Sequence, residues 1–343
     1  MDKNKINKNN SLISQLFTLV GGSLGTYFFP IIFSPILTRI YTPEEFSVYT
    51  IYLTIINVIA IIAALKYELG IPLVSLAKER YDLLRLSILN SILVSLIVFI
   101  LIAIYREFIL GSNVNVEYLQ DLQYFVPTGI FLTSLFYHII YNVLLYQKKF
   151  KYISIAKIGF GFLYAVLPIF IFKYYGLKNY LYLIYSHQIA LLLGLFLMLI
   201  LSVSRIKINT LYKLFIFEIK DLKLVLIKYS KFPLFSTPSQ LINTLGIWLP
   251  IIVIWLCFDS QHAKYASLYL LSHRAVNMPV MLIGHSIGKI FFSEAASNLN
   301  KGMLPDSITK YFKILFHVAF PFIFICIFLA PNIFNSIFSE NWS

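Results

Sequence analysis

Six ionisable side chains sit inside or beside stretches too apolar to hold charge cheaply: Arg39, Lys66, Glu68, His273, Arg274 and Glu294. A charged group in hydrocarbon is costly. Such residues therefore face a helix-bundle interior or a water-filled chamber, and they mark ligand or ion pathways. Arg274 stands near the middle of the apolar run 265–288 with no acid beside it in sequence. Lys66 and Glu68 close the run 46–66, Arg39 caps 12–37, and Glu294 follows 265–288. A guanidinium grips phosphate with a bidentate fork, and an ammonium acts on it as a point charge. The set reads as a cationic cavity that receives an anionic head group. Arg274, Lys66 and Arg39 are its candidate phosphate contacts. Glu68, Glu294 and His273 are candidates for coupling or ion pairing. The competing reading of Lys66 and Glu68 is a local pair that satisfies itself.

Other chemistries fare worse. Gly21-Gly22-Ser23-Leu24-Gly25 matches the nucleophile-elbow spacing, but that motif needs a strand before it and a helix after it. Here it lies within an apolar run, so it is a false match. The sequence contains no phosphate loop, HExxH or CxxC. The histidines (His138, His187, His262, His273, His285, His317) are scattered, and no metal cluster follows from their spacing. Cys257 and Cys326 lie at or within apolar segments and read as small buried hydrophobes. No cofactor is implied, and no paired constellation suggests an enzyme.

The elements that position these groups follow from composition. Apolar types make up 59% of the 343 residues and charged types 13%, against about 25% charged in soluble domains. Mean hydropathy is +0.79, so lipid is the main solvent. A helix needs roughly 20 apolar residues to cross the hydrocarbon core. Nine runs qualify: 12–37, 46–66, 86–105, 122–146, 155–172, 180–203, 232–257, 265–288 and 314–335. Barrel strands are short and alternate in polarity, which excludes them here. The fold class is therefore all-α, a polytopic membrane protein of about nine transmembrane helices. The first run is too long for a signal peptide, and no cleavage site follows it.

Net charge is +13. With the N-terminus in the cytoplasm and sides alternating, 21 of the 28 Lys and Arg fall on cytoplasmic segments and five on outer ones. Lys66 and Arg274 lie at membrane depth. The split is a positive-inside signal, and anionic inner-leaflet lipid accounts for the basic balance. Nucleic acid is not the partner.

The stretch 204–231 carries Leu211, Leu214, Phe215, Leu222 and Leu226 at helical spacing, interleaved with lysines. It reads as an amphipathic helix on the cytoplasmic membrane surface, against the plainer alternative of a solvated basic linker. It separates a six-helix lobe (1–203) from a three-helix partial lobe (232–343). Prolines within the spans (Pro30, Pro35, Pro127, Pro168, Pro250, Pro279, Pro321) favour kinks. Gly21/Gly25 and Gly284/Gly288 suggest close helix contacts. Tyr41, Tyr49, Tyr52, Tyr174, Tyr175, Tyr180 and Tyr182 lie near span ends, which fits interfacial anchoring.

Two blocks resemble a known family. One is Pro35-Ile-Leu-Thr-Arg39-Ile-Tyr41-Thr-Pro43-Glu-Glu-Phe46 with Lys66-Tyr67-Glu68-Leu69. The other runs from Phe232-Pro233 through Pro238, Leu241, Asn243, Pro250 and Tyr269 to His273-Arg274, Pro279, Leu282-Ile283-Gly284 and Phe291-Phe292-Ser293-Glu294-Ala295. Together they resemble the O-antigen type polysaccharide-repeat flippases of the multidrug/oligosaccharidyl-lipid/polysaccharide exporter superfamily. The resemblance implies two six-helix lobes around a cavity that opens to alternating sides. It implies undecaprenyl-diphosphate-linked oligosaccharide as cargo for O-antigen lipopolysaccharide, capsule or exopolysaccharide. It also implies the bacterial inner membrane as location, with a polysaccharide polymerase and chain-length regulator as possible partners. The family usually has Arg where Lys66 stands and Gly where Ser267 stands, which questions bidentate geometry at the first and close packing at the second. Such proteins carry twelve or more spans, so nine suggest a truncated reading frame or a partial sequence. The rival readings are a cation-coupled drug exporter of the same superfamily and a polytopic enzyme such as a polymerase. The longest internal outer loop, 106–121, is small for an enzyme.

The charge split is testable by thiol labelling in a Cys257→Ser, Cys326→Ser background. A membrane-impermeant maleimide should label Lys178→Cys in intact spheroplasts, and Lys149→Cys only after permeabilisation. The reverse pattern would invert the topology.

Overall fold

The computed structural model describes residues 3–109, 117–203, 219–257 and 264–274, with isolated positions from 276 to 338. The regular elements among them are all helical. In lipid each backbone polar group must be satisfied within its own segment, and a helix does this for the long apolar runs. The chain forms α1 (Lys3–Ile40), α2 (Pro43–Ala63), α3 (Ala77–Ile109), α4 (Glu117–Ser134), α5 (Ile140–Tyr146), α6 (Phe150–Tyr175), α7 (Tyr180–Val203), α8 (Ile219–Lys228) and α9 (Thr237–Cys257). A final described helix, α10, covers 264–274.

Six segments are long and apolar enough to cross a membrane: Pro43–Ala63, Ala77–Glu107, Asp121–Tyr146, Phe150–Tyr175, Tyr180–Ile200 and Phe232–Ile254. Leu24–Ile40 adds a shorter apolar stretch. They coincide with the first seven runs expected from sequence. The eighth is described only in its first part, and the ninth only at scattered positions. Lipid is the expected neighbour of α3, where Leu93, Leu96, Ile97, Ile100, Leu101 and Ile104 are all exposed.

Local signals set the breaks. α2 opens on a capping box: Thr42 Oγ1 accepts from the Glu45 amide at 3.4 Å, and the Glu45 carboxylate accepts from the Thr42 amide at 2.8 Å. Pro43, in the first turn, gives up a donor the helix would not have used. α2 ends where Leu65 and Lys66 both enter the left-handed region, at φ 50° and 60°, and the chain passes into a 3-10 turn at Tyr67–Gly70. A wide turn at Leu135–Ile139 joins α4 to α5 in one rod. Another, at Phe232–Ser236, leads into α9.

Without a hydrophobic drive between helices in lipid, close approach depends on small residues. α1 lies along α6 in this way. Gly22 meets Ser154, and Gly25 meets Ile158 and the backbone at Gly161. The expected Gly21/Gly25 pair is therefore corrected by one position, since Gly21 faces open space. Gly284 and Gly288 lie outside the described residues. At Ser267, where close packing was in question, the hydroxyl is buried and lies 2.9 Å from the Pro43 carbonyl and 2.6 Å from that of Lys264. It ties α10 to the start of α2.

Of the expected surface helix, 204–218 lies outside the described residues, and α8 covers the rest. Lys78 pairs with Asp221 at 2.8 Å, Lys228 pairs with Glu79 at 2.6 Å, and Tyr229 Oη donates to Glu79 at 2.7 Å. Val225 is buried, while Leu224, Leu226 and Ile227 are exposed.

Gly161→Ala places a methyl group against backbone that cannot yield. It should cost about 1–3 kcal/mol, read as a lowered melting temperature in detergent, while Gly21→Ala should leave that temperature unchanged. Equal effects would contradict the α1–α6 contact.

Candidate functional site

α10 carries Arg274 inward to the middle of the bundle. Its Nη2 donates to Tyr164 Oη at 3.1 Å, and its guanidinium carbon lies 5.9 Å from the Tyr164 ring centroid. Tyr49 Oη donates to the same phenol oxygen at 2.5 Å. Tyr164 is further fixed by stacking on Phe160, with centroids 5.7 Å apart and planes 7° off parallel. Among the described residues Arg274 makes no ion pair. Its positive charge is balanced there by a phenol dipole and a π face instead of a carboxylate.

Behind this contact lies a cluster of aromatic rings. His187 on α7 meets Tyr49, Tyr52, Phe160 and Tyr164 with centroids 5.4 to 6.5 Å away. Its Nδ1 is 3.4 Å from Tyr52 Oη. Gln188 donates to Tyr52 Oη at 3.3 Å and to the Phe125 carbonyl at 2.7 Å. Every polar group here has a fixed neighbour, so Tyr164 is held from behind. This corrects the reading of Tyr41, Tyr49, Tyr52 and Tyr180 as interfacial anchors, because all four are buried. The exposed Tyr174 and Tyr175 keep a position that anchoring allows. The signal for the core group was available: Phe46, Tyr49, Tyr52 and Ile56 recur at three- and four-residue spacing and so share one face of α2.

Two chambers meet at Arg274. One, of about 320 Å³, is lined by Pro30, Ile32, Pro35, Leu37, Phe46, Pro168, Leu271 and their neighbours. It is almost wholly apolar. Its hydroxyls on α1 turn back onto their own helix, Ser34 to the Ile31 carbonyl at 2.6 Å and Thr38 to that of Pro35 at 3.1 Å. The other, of about 400 Å³, is lined by Asn57, Thr133, His138, His187, Asn243, Thr244, Trp248 and His273, with Tyr27 and Tyr137. Pro30, Ile31, Tyr164 and Arg274 border both. A greasy chamber, a cation and a polar chamber thus follow one another, formed by α1, α2, α4, α6, α7, α9 and α10.

The other sequence candidates lie elsewhere. Lys66 and Glu68 are buried and face each other at 3.7 Å; neither Glu68 oxygen has a hydrogen-bond partner among the described residues, so the pair is local without being fully satisfied. Burial pushes the Glu68 carboxyl up and the Lys66 ammonium down, and each partner opposes the other's shift. Among the described residues lining the two chambers neither appears. Arg39 is exposed in the last turn of α1, where a cation suits the helix terminus. His273 stacks on Tyr269 at 6.0 Å and lines the polar chamber. Glu294 lies outside the described residues. Lys157, counted among cytoplasmic residues by its place in sequence, lies within α6 with Tyr141 and Tyr137 at 4.7 and 5.7 Å.

Comparison with known proteins agrees with this architecture. No curated protein sequence matches the chain. Among solved structures, the chain is similar to an inward-facing multidrug resistance MATE family transporter of the MOP superfamily. The TM-score is 0.62 at 14% identity, over 92% of this chain and 70% of that one. It is also similar to a MATE protein in a bent conformation, with a TM-score of 0.52 at 15% identity over 93% of this chain and 72% of that one. These likenesses give the fold, a multi-pass helical bundle. The family model described as polysaccharide biosynthesis protein matches residues 36–343. The chain is a multi-pass membrane protein that belongs to the polysaccharide biosynthesis protein family.

Proposed function

We propose that the protein is a flippase that moves undecaprenyl-diphosphate-linked oligosaccharide across the bacterial inner membrane for surface polysaccharide assembly. The observation that carries this reading is Arg274, half-buried at the joint between an apolar and a more polar chamber and bound there to a neutral phenol. A lipid-linked sugar has the same order of parts: isoprenoid, diphosphate, sugar. The guanidinium offers the phosphate several donors in a fork geometry, and the low dielectric around it strengthens the attraction. The lipid chain has the apolar side and the bilayer available to it. Lys66 and Arg39, away from the chambers, take no direct part in this reading.

No covalent step is required. Residues 1–203 form one lobe, 204–231 the cytoplasmic linker and 232–343 part of the second lobe, with the N-terminus in the cytoplasm. Cargo enters between the lobes from the inner side, and the cavity reopens outward. Prolines within α1, α4, α6 and α9 (Pro30, Pro35, Pro127, Pro168 and Pro250) give these helices the weak points such rocking uses. A cationic drug, the alternative cargo that likeness to a multidrug resistance transporter raises, would meet like charge at Arg274.

In a flippase-null strain, Arg274→Ala should abolish surface polysaccharide at equal protein level, because a bidentate phosphate contact is worth several kcal/mol in a dry site. Arg274→Lys should restore part of it, and Tyr164→Phe should lower transport about tenfold by loosening the guanidinium. Normal polysaccharide in Arg274→Ala would remove this residue from the mechanism.

A further inference from the structure

At the end of the bundle where α2 finishes and α3 begins, α8 lies against the start of α3 in a contact that the phosphate site does not use. Glu79, in the first turn of α3, accepts from Lys228 Nζ at 2.6 Å on one oxygen and from Tyr229 Oη at 2.7 Å on the other. Lys78 reaches Asp221 at 2.8 Å. Between these two clamps Val225 is buried in a cluster with Tyr67, Ile71, Val74, Leu83 and Leu86. Tyr67 Oη donates to the Leu226 carbonyl at 3.4 Å.

Both sides of the contact are stiff. Backbone hydrogen bonds carry α8 on into the wide turn before α9: Tyr229 donates to the Val225 carbonyl at 3.0 Å, Phe232 to that of Tyr229 at 3.1 Å and Leu234 to that of Ser230 at 3.2 Å. The Tyr229 ring stacks on Phe232 with centroids 6.3 Å apart. α8 and α9 are thus one bent rod. On the receiving side Arg80 Nε donates to the Ile71 carbonyl at 3.2 Å, and its guanidinium carbon lies 3.6 Å from the Tyr146 ring centroid. Gly70 lets Phe232 approach, since a methyl group there would stand 3.2 Å from that ring.

The polar chamber lies towards this end. Ile61 lines it two residues before α2 stops, and Asn243 and Thr244 line it from the second turn of α9. α9 can swing away from α2 here only if α8 leaves α3 or the rod bends. Leaving is the easier course. Part-exposed ion pairs are individually weak and screened by salt, and the two lysines are 72% and 56% exposed. Among the described side chains of α8 only Val225 is fully buried.

We propose that α8 is a releasable strap at the mouth of the polar chamber. It holds the start of α9 against the end of α2, and its release from Lys78 and Glu79 opens the chamber to water on that side. That this opening admits cargo rests on the flippase reading, whereas the strap itself is measured without cargo.

The test uses the 343-residue chain in membrane vesicles, with Ile61→Cys as reporter in the Cys257→Ser, Cys326→Ser background. A neutral, membrane-impermeant polyethylene-glycol maleimide is applied from the side that labels Lys149→Cys. With the strap closed in most molecules, the labelling rate follows the population of the open form. Glu79→Gln and Lys228→Met should each raise that rate about three- to fivefold. The double variant should be no faster than Glu79→Gln alone, because the same bond is lost in all three. Tyr229→Phe removes a single oxygen and should give a smaller rise, which sets the effect apart from a folding defect in the charge variants. The parent rate in both single charge variants, including no labelling at all, or effects that multiply in the double one, would overturn the strap. Either result leaves the flippase reading standing, since that reading is judged by the surface polysaccharide of Arg274→Ala.

Discussion

The arrangement around Arg274 depends on one constraint. A guanidinium held at membrane depth must have its charge compensated, and a carboxylate would do so permanently. Among the described residues the compensation comes instead from Tyr164, through one hydrogen bond at 3.1 Å and its ring face. A phenol polarises towards the cation without cancelling it. Among the described residues no carboxylate cancels the charge, so the partner an anion would displace in the proposed mechanism is a weak one. Lys66 shows the contrast. With Glu68 at 3.7 Å, it already faces a carboxylate.

Much of the surrounding structure can be understood as holding that phenol in place. Tyr49 fixes its oxygen and Phe160 its plane. Tyr52, His187 and Gln188 pack behind them in a hydrogen-bonded group that reaches the Phe125 carbonyl. The close approach of α1 and α6 through Gly22, Gly25 and Gly161 brings the α1 wall of both chambers up to the helix that carries Tyr164. Ser267, bonded to the first turn of α2, anchors α10 about two turns before Arg274. Small residues, a capped helix start and a buried hydroxyl thus act together on the position of one side chain.

The helices were legible in sequence because lipid permits so few alternatives. Runs such as 122–146 and 180–203 can only be spans, and the structure places helices there. Arg274 was legible for the same reason: a charge in the middle of such a run needs a purpose. The pairing of Lys66 with Glu68 was one of two readings, and choosing between them required the left-handed turn at Leu65–Lys66 that aims both inward. The tyrosines were misread because nearness to a span end fits both an interfacial anchor and a buried ring, and only the facing helices decide which.

The central claim is that the charge of Arg274, half-buried between the two chambers, is held for an anion. The most direct measurement compares how the purified protein's melting temperature responds to undecaprenyl diphosphate and to undecaprenol, lipids identical except for the charged group. A ligand that binds only the folded state stabilises it in proportion to the logarithm of its concentration. The diphosphate should raise the melting temperature in a dose-dependent way and the alcohol should not. Equal shifts from both lipids, or none from the diphosphate, would contradict the account.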